Sequence, residues 1–479
     1  LSPLPNQETS QTDTQPGERL KGTLKHPLSR DFLAVLAVFS LALLVRILYN
    51  ITIARDYQPI YDAALYHFIA EDLVKNHCYC VYHHVQSASR APLWPFIMAG
   101  IYFFTGPNNF YARLFYCFLG SGTCLLIYYW ARDLFGRRVA LLTGLFSAIY
   151  VGLFIYDGWL YTESLYTFCQ LAFAYMLYRI QRTPLHRDDR APTSFPTALR
   201  HWTYSMLRQP QVYLCGIFLA MATLTRPNGS SLLAVVGVWA VIVLFARMIP
   251  WQAVISASCI IAVILVVAVA PWAYRNYQVM HAFVPVSTGF GEVLSGAYSD
   301  KALYKNPRRI GYWSPPDHTV IHDLPTFTIA DENRETATGW TWIRTHLANV
   351  PYLMGLHFIN MWRPYVNEFN AFPFEEHPQR RSSQIIIQYV IPDMSYVVFA
   401  MALLGLLTTW MGHKKQLLAL YLTLALDIAL NVIFYSNMRF RAPMEPFLLL
   451  LAGGFLWWLT SKEPGTLRFV WHKRKTQLY

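Results

Sequence analysis

Acidic and guanidinium side chains in this 479-residue chain stand at the ends of long apolar runs, and that is where chemistry would sit. Asp56 and Asp62 directly follow the first apolar run. Asp62 opens the stretch Ile60-Tyr61-Asp62-Ala63-Ala64-Leu65-Tyr66-His67, in which Asp62 and Tyr66, at i and i+4, share one helical face. A carboxylate at a helix start also gains from the helix dipole, by under about 1 kcal/mol, so structural and functional roles are both open for Asp62. A second pair, Asp157 and Glu163, lies in Tyr156-Asp157-Gly158-Trp159-Leu160-Tyr161-Thr162-Glu163-Ser164, at a turn between two apolar runs. An unpaired carboxylate at a membrane edge is costly and usually has a task. Two carboxylates on one membrane face suit acid–base work or the holding of a divalent cation.

Cations cluster on the same face. Arg90 opens Ser89-Arg90-Ala91-Pro92-Leu93-Trp94-Pro95, and Arg226 sits in Thr225-Arg226-Pro227-Asn228-Gly229. Arg275 ends Pro271-Trp272-Ala273-Tyr274-Arg275-Asn276, and Arg439 and Arg441 lie in Arg439-Phe440-Arg441-Ala442-Pro443. Guanidinium forks match phosphate oxygens, and each contact strengthens where the dielectric is low. A single arginine at such a place commonly snorkels to lipid headgroups. Four such segments on one face favour an anionic lipid substrate.

Other polar residues carry weaker signals. Asp427 and Asn431 lie at i and i+4 within an apolar run, and Arg46 in the first run is a candidate partner for Asp427. His77-Cys78-Tyr79-Cys80-Val81-Tyr82-His83-His84 resembles a zinc cluster in residue types, although its spacing matches no standard Cys/His pattern. No Gly-rich phosphate loop, dinucleotide fingerprint or serine nucleophile elbow is present, and nothing points to nucleic acid.

The elements that must position these residues are membrane helices. Charged residues make up 14% of the chain against roughly 25% in soluble domains, and mean hydropathy is +0.27. That excludes an ordinary soluble enzyme and a disordered chain. Runs near the twenty residues a spanning helix needs occur at 32–53, 110–131, 139–157, 160–180, 211–227, 230–248, 252–272, 389–411, 416–436 and 442–461. Shorter stretches at 92–105 and 347–363, rich in Pro, Trp and Tyr, suit interfacial or re-entrant helices. Residues 60–76 read as an amphipathic helix on the membrane surface. The expected fold is an all-α polytopic membrane protein of about 10–12 transmembrane helices, with interfacial helices in the first outer loop and a small outer segment.

Arg132, Arg137, Arg138, the 179–208 arginines, Arg247 and the basic C-terminal stretch fall on one side if both ends are cytoplasmic. The expected organisation is a disordered cytoplasmic tail over 1–30 that does not read as a cleavable signal, then a transmembrane catalytic module over 31–272 with its first outer loop at 54–109. An outer segment over 273–388, C-terminal transmembrane helices over 389–461 and a basic cytoplasmic tail over 462–479 follow. No internal repeat supports an inverted-repeat transporter.

These segments together resemble the GT-C superfamily of integral-membrane glycosyltransferases, in the branch holding protein O-mannosyltransferases and lipid A aminoarabinose transferases. The resemblance is carried by Tyr61-Asp62-Ala63-Ala64-Leu65-Tyr66-His67-Phe68-Ile69-Ala70, Arg90-Ala91-Pro92-Leu93-Trp94-Pro95, the Arg113-bearing run into Ala131-Arg132-Asp133-Leu134-Phe135-Gly136, Thr162-Glu163-Ser164-Leu165, Pro271-Trp272-Ala273-Tyr274-Arg275-Asn276 and Arg439-Phe440-Arg441-Ala442-Pro443. It implies a polyprenyl-phosphate sugar donor, a protein, lipid or glycan acceptor, and inverting transfer at the outer face of the cytoplasmic or plasma membrane. It places Asp62 as base or acceptor-orienting acid, Glu163 as the second acidic position and Arg90 near the lipid phosphate, where some relatives use Lys. Asp56, Tyr66, Asp157, Arg226, Arg275 and Arg439 would complete the substrate-binding set. No cofactor is implied with certainty, a divalent cation being the one candidate. Two other readings remain: a transporter or flippase of lipid-linked sugars, and a glycan ligase using a lipid-diphosphate donor.

Overall fold

The computed structural model describes residues 30–81, 84–182, 195–305, 310–315, 327–363, 390–413 and 415–461. The two expected tails lie almost wholly outside them, as do parts of the 273–388 segment.

The first apolar run forms α1, Arg30–Thr52, and the amphipathic stretch forms α2, Tyr61–Asn76, which buries Ala63, Leu65, Tyr66, Ile69 and Ala70 on one face. After α2 a two-stranded antiparallel hairpin (β1, Cys80–Val81; β2, Val85–Gln86) leads to α3, Leu93–Thr105. Then come α4 (Asn109–Phe135), α5 (Arg137–Ile149), the single turn α6 (Val151–Phe154) and α7 (Glu163–Arg182). Helix α8 (Phe195–Leu207), α9 (Pro210–Thr225), α10 (Leu232–Phe245) and the 30-residue α11 (Trp251–Met280) complete this part. The 273–388 segment contributes α12 (Phe290–Ala297), α13 (Ile329–Thr345) and α14 (Val350–Trp362). The chain then continues through α15 (Ile391–His413), α16 (Leu418–Ile433), the short α17 (Met438–Arg441) and α18 (Glu445–Thr460).

The architecture is the expected all-α polytopic membrane fold. Among the described residues, six helices are long and apolar enough to cross a bilayer, or seven if α5 and the segment Val151–Gly158, bent by 58°, make one broken span. That is fewer than the ten to twelve expected, for two physical reasons. Helices α9 and α16 have 16 residues each and reach only about 24 Å, short of a hydrocarbon core of about 30 Å. Helix α7 is long enough, but its polar side chains Glu163, Ser164, Thr167 and Gln170 lower its apolarity. Those side chains are sheltered by protein: α7 packs against α4, α9 and α16 and is buried along nearly its whole length. A helix screened from lipid can carry polar groups that a lipid-facing one cannot.

Close packing fixes the surrounding bundle. Helices α15 and α18 are in intimate contact, and a methyl group on Gly405 would sit 1.9 Å from the Leu451 carbonyl oxygen. Helix α1 packs on α4 and α5, while α12 and α13 pair with each other.

Candidate active site

Five charged side chains from five separate segments meet at one place. Asp62 lies in the first turn of α2, and Glu163 is the first residue of α7, both where the helix dipole favours an anion. Arg90 precedes α3 in the loop leaving the hairpin. Arg226 ends α9 in extended conformation (φ −147°, ψ 136°), immediately before the Pro227–Ser231 3₁₀ turn. Arg439 stands on α17, a single turn whose N-cap Asn437 side chain accepts from the Phe440 backbone N–H.

Arg439 is the bridge. Its Nη2 donates to Asp62 Oδ2 at 2.9 Å and its Nε to Glu163 Oε1 at 2.5 Å. Arg90 Nη2 donates to the other Asp62 oxygen at 2.7 Å, and Arg226 Nη1 donates to Glu163 Oε1 at 3.1 Å. Among the described residues, the cluster carries one more positive than negative charge. The Glu163 side chain is 1% exposed, whereas that of Asp62 is 33% exposed, so Asp62 faces the accessible side. Glu163 Oε2 is buried with no hydrogen-bond partner among the described residues, and Glu163 also lines a small cavity with Thr123, Asp157, Ser164 and Thr167.

Aromatic rings hold the guanidinium groups in place. Arg439 lies 3.9 Å from the centre of the Tyr161 ring, Arg226 lies 5.1 Å from Phe440, and Arg90 lies 6.0 Å from Tyr66. Burial pushes the Tyr66 hydroxyl above its ordinary pKa, with the Arg90 charge acting the other way. The turn bearing Tyr161 is itself pinned. Trp94 Nε1 donates to the Leu160 carbonyl at 2.8 Å, the Tyr116 hydroxyl to the Tyr161 carbonyl at 2.7 Å, and the Tyr156 hydroxyl to the Met438 carbonyl on α17 at 3.1 Å. Tyr161 and Phe440 escaped sequence reasoning, since an aromatic residue beside an apolar run looks like any other core residue.

Three expected site residues lie elsewhere. Asp157 does not join the cluster: it is fully buried, and Arg46 Nε donates to its Oδ2 at 2.6 Å. That contact also corrects the expected Arg46–Asp427 pair, for both Asp427 oxygens accept from Gln170 Nε2 on α7, at 2.8 and 2.7 Å. Arg275 is spent on backbone. It donates to the carbonyls of Ser87 (2.6 Å) and Tyr79 (3.0 Å) and to Asn276 Oδ1 (3.1 Å) and stacks on Trp272 and Tyr79, tying the hairpin to α11. Asp56 is exposed in the turn between α1 and α2. Arg441 is fully buried and paired with Glu445 at 2.8 Å, a structural pair rather than a lipid contact.

A family model described as dolichyl-phosphate-mannose-protein mannosyltransferase matches residues 86–285, a stretch that holds Arg90, Glu163 and Arg226 but neither Asp62 nor Arg439. Among solved structures, the chain is similar to the oligosaccharyltransferase AglB from Archaeoglobus fulgidus, determined with an inhibitory peptide and a dolichol-phosphate. The match has a TM-score of 0.51 and 12% identity over 88% of this chain and 50% of that one. The apo form of the Archaeoglobus fulgidus oligosaccharyltransferase gives 0.51 and 12% over 89% and 51%. The chain has the GT-C fold. It spans about half the length of those archaeal enzymes. ArnT from Cupriavidus metallidurans aligns over 89% of this chain and 78% of its own, at 14% identity and a TM-score of 0.41. No curated protein matches by sequence. Within this GT-C fold, the five-residue ion cluster joins the two ends of the chain, since Asp62 and Arg439 are 377 positions apart.

Proposed function

We propose that this chain is an inverting glycosyltransferase that moves a sugar from a polyprenyl-phosphate donor to an acceptor hydroxyl at the outer face of the membrane. The observation that carries this reading is the Arg439 bridge between a partly accessible carboxylate and a buried one, with Arg90 and Arg226 completing a net-positive cluster. Its chemistry fits the reaction. A lipid phosphate is a competent leaving group, so the step needs preorganised cations for the departing charge more than a strong acid. In the substrate-free cluster the carboxylates compensate those cations. An arriving phosphate competes for Arg90 and Arg439, and each guanidinium it takes frees an oxygen of Asp62. That oxygen then accepts the proton of the attacking hydroxyl, an assistance worth about 10²–10⁴-fold. Glu163, deeper and doubly paired, fixes the orientation of Arg439 and Arg226. Apolar helices beside the cluster would hold the prenyl tail and turn a diffusing lipid into an oriented reactant.

The test is Asp62→Asn in proteoliposomes with labelled polyprenyl-phosphate sugars and a panel of hydroxyl acceptors. The amide keeps the size and part of the hydrogen bonding but cannot take the proton, so transfer should fall about 10²–10⁴-fold with donor binding largely kept. Transfer at the wild-type rate would remove Asp62 from the base role.

A further inference from the structure

A second group of ligand-type side chains lies where the end of α2 meets the hairpin that follows it. Asp72, Cys78 and Cys80 bring one carboxylate oxygen and two sulfurs to within 4.8 Å of one another. Asp72 comes from the last turns of α2, which ends at His77 in the left-handed conformation (φ 54°) and so turns Cys78 and Cys80 back toward the helix. The Asp72 residue is 3% exposed. One of its oxygens, Oδ1, accepts from Asn76 Nδ2 at 2.6 Å and lies 2.7 Å from His84 Nδ1, while Oδ2 is buried with no hydrogen-bond partner among the described residues. Cys80 is fully buried, Cys78 is half-buried, and the structure joins the two in a disulfide. A disulfide carries no proton, so it can donate no hydrogen bond to that buried carboxylate. A cation between the three would satisfy it.

We infer that Asp72, Cys78 and Cys80 form a binding site for a thiophilic divalent cation of the zinc class when the two cysteines are reduced. Two thiolates and a carboxylate oxygen suit such an ion, with zinc–sulfur bonds of about 2.3 Å. The hydrogen bonds from Asn76 and His84 orient the carboxylate from behind, the role outer partners play in metal sites. On binding, each thiol releases its proton to solvent. Exchange with a small disulfide, which takes up two electrons and both protons to become two thiols, closes the Cys78–Cys80 bond and abolishes the site, and a dithiol reverses it by becoming a disulfide itself. Tyr79, between the two ligands, links the site to the loop ahead: its hydroxyl donates to the carbonyls of Arg90 (3.1 Å) and Ala91 (3.2 Å).

Metal binding is read directly, so this inference stands or falls apart from glycosyl transfer. The full chain in detergent is reduced with a phosphine, freed of reductant and titrated with Co²⁺. The expected result is one bound Co²⁺ per chain with a thiolate-to-cobalt charge-transfer band that Zn²⁺ displaces. The band should vanish in Cys78→Ser and Cys80→Ser and persist in a Cys259→Ser variant, which removes the exposed free cysteine of α11. Asp72→Asn keeps both thiols and should bind Co²⁺ at least about tenfold more weakly, and His84→Gln should weaken binding about 10- to 100-fold. Absence of the band in the reduced wild-type chain would overturn the proposal, and so would its survival in Cys80→Ser or unchanged affinity in Asp72→Asn.

Discussion

Arg439→Lys is the sharpest perturbation of the cluster, because it keeps the charge and removes only the geometry. Arg439 reaches Glu163 through Nε and Asp62 through Nη2, two donors on one planar fork. A lysine ammonium at the end of a flexible stem cannot hold both carboxylates in that arrangement. One charge-assisted hydrogen bond is therefore lost, at a cost of roughly 1.5–3 kcal/mol. At about 1.4 kcal/mol per factor of ten, transfer efficiency should fall roughly 10- to 150-fold if both contacts position the cation for the departing phosphate. Arg439→Ala goes further. It leaves the buried Glu163 carboxylate with Arg226 alone, and breaking such a pair costs about 3–5 kcal/mol, enough to lower the thermal midpoint as well. The assay is kcat/KM for labelled polyprenyl-phosphate sugars in proteoliposomes, run beside thermal unfolding of the same preparations. A lysine variant with wild-type kcat/KM would refute the bridging role, and so would a loss accounted for wholly by unfolded protein.

Further outcomes follow from the same geometry. Arg90 is the guanidinium paired with the accessible carboxylate, so Arg90→Ala should mainly raise the donor KM, measured by varying lipid-linked sugar at saturating acceptor. Gly120→Ala would place a methyl group 2.2 Å from Asp157 Oδ2 and 2.5 Å from Arg46 Nε, forcing that buried pair apart. The cost should be about 3–5 kcal/mol, seen as a lower unfolding midpoint in detergent, while Gly237→Ala, with open space around it, should change little. On α2, burial lowers the pKa of His67, with Glu71 acting the other way, and Nδ1 lies 2.7 Å from the Tyr102 hydroxyl. The folded state therefore favours the neutral ring. Its contribution should be complete above the unfolded pKa of about 6.5 and be lost as pH falls through the lowered folded-state value, a slope that His67→Gln should flatten in pH-dependent thermal melts.

The sequence by itself determined the class of molecule and most of its helices. Its scarcity of charge and its runs of apolar residues leave a chain of this length no soluble core to build, and the amphipathic stretch 60–76, the short run 92–105 and the run 347–363 each became a helix close to the expected bounds. It also pointed to Asp62, Glu163, Arg90, Arg226 and Arg439, because a charge at the edge of an apolar run is expensive and so stands out. What only the tertiary structure decided is which charge meets which. Arg46 faces Asp157 rather than Asp427, and Arg275 turns to backbone carbonyls, because partners are set by the rotation of each helix about its axis and by which helices become neighbours. Helical periodicity reveals where a polar face lies along one helix but not what stands opposite it. The Asp62–Arg439 contact joins residues 377 positions apart, and such a meeting exists only once the bundle has packed.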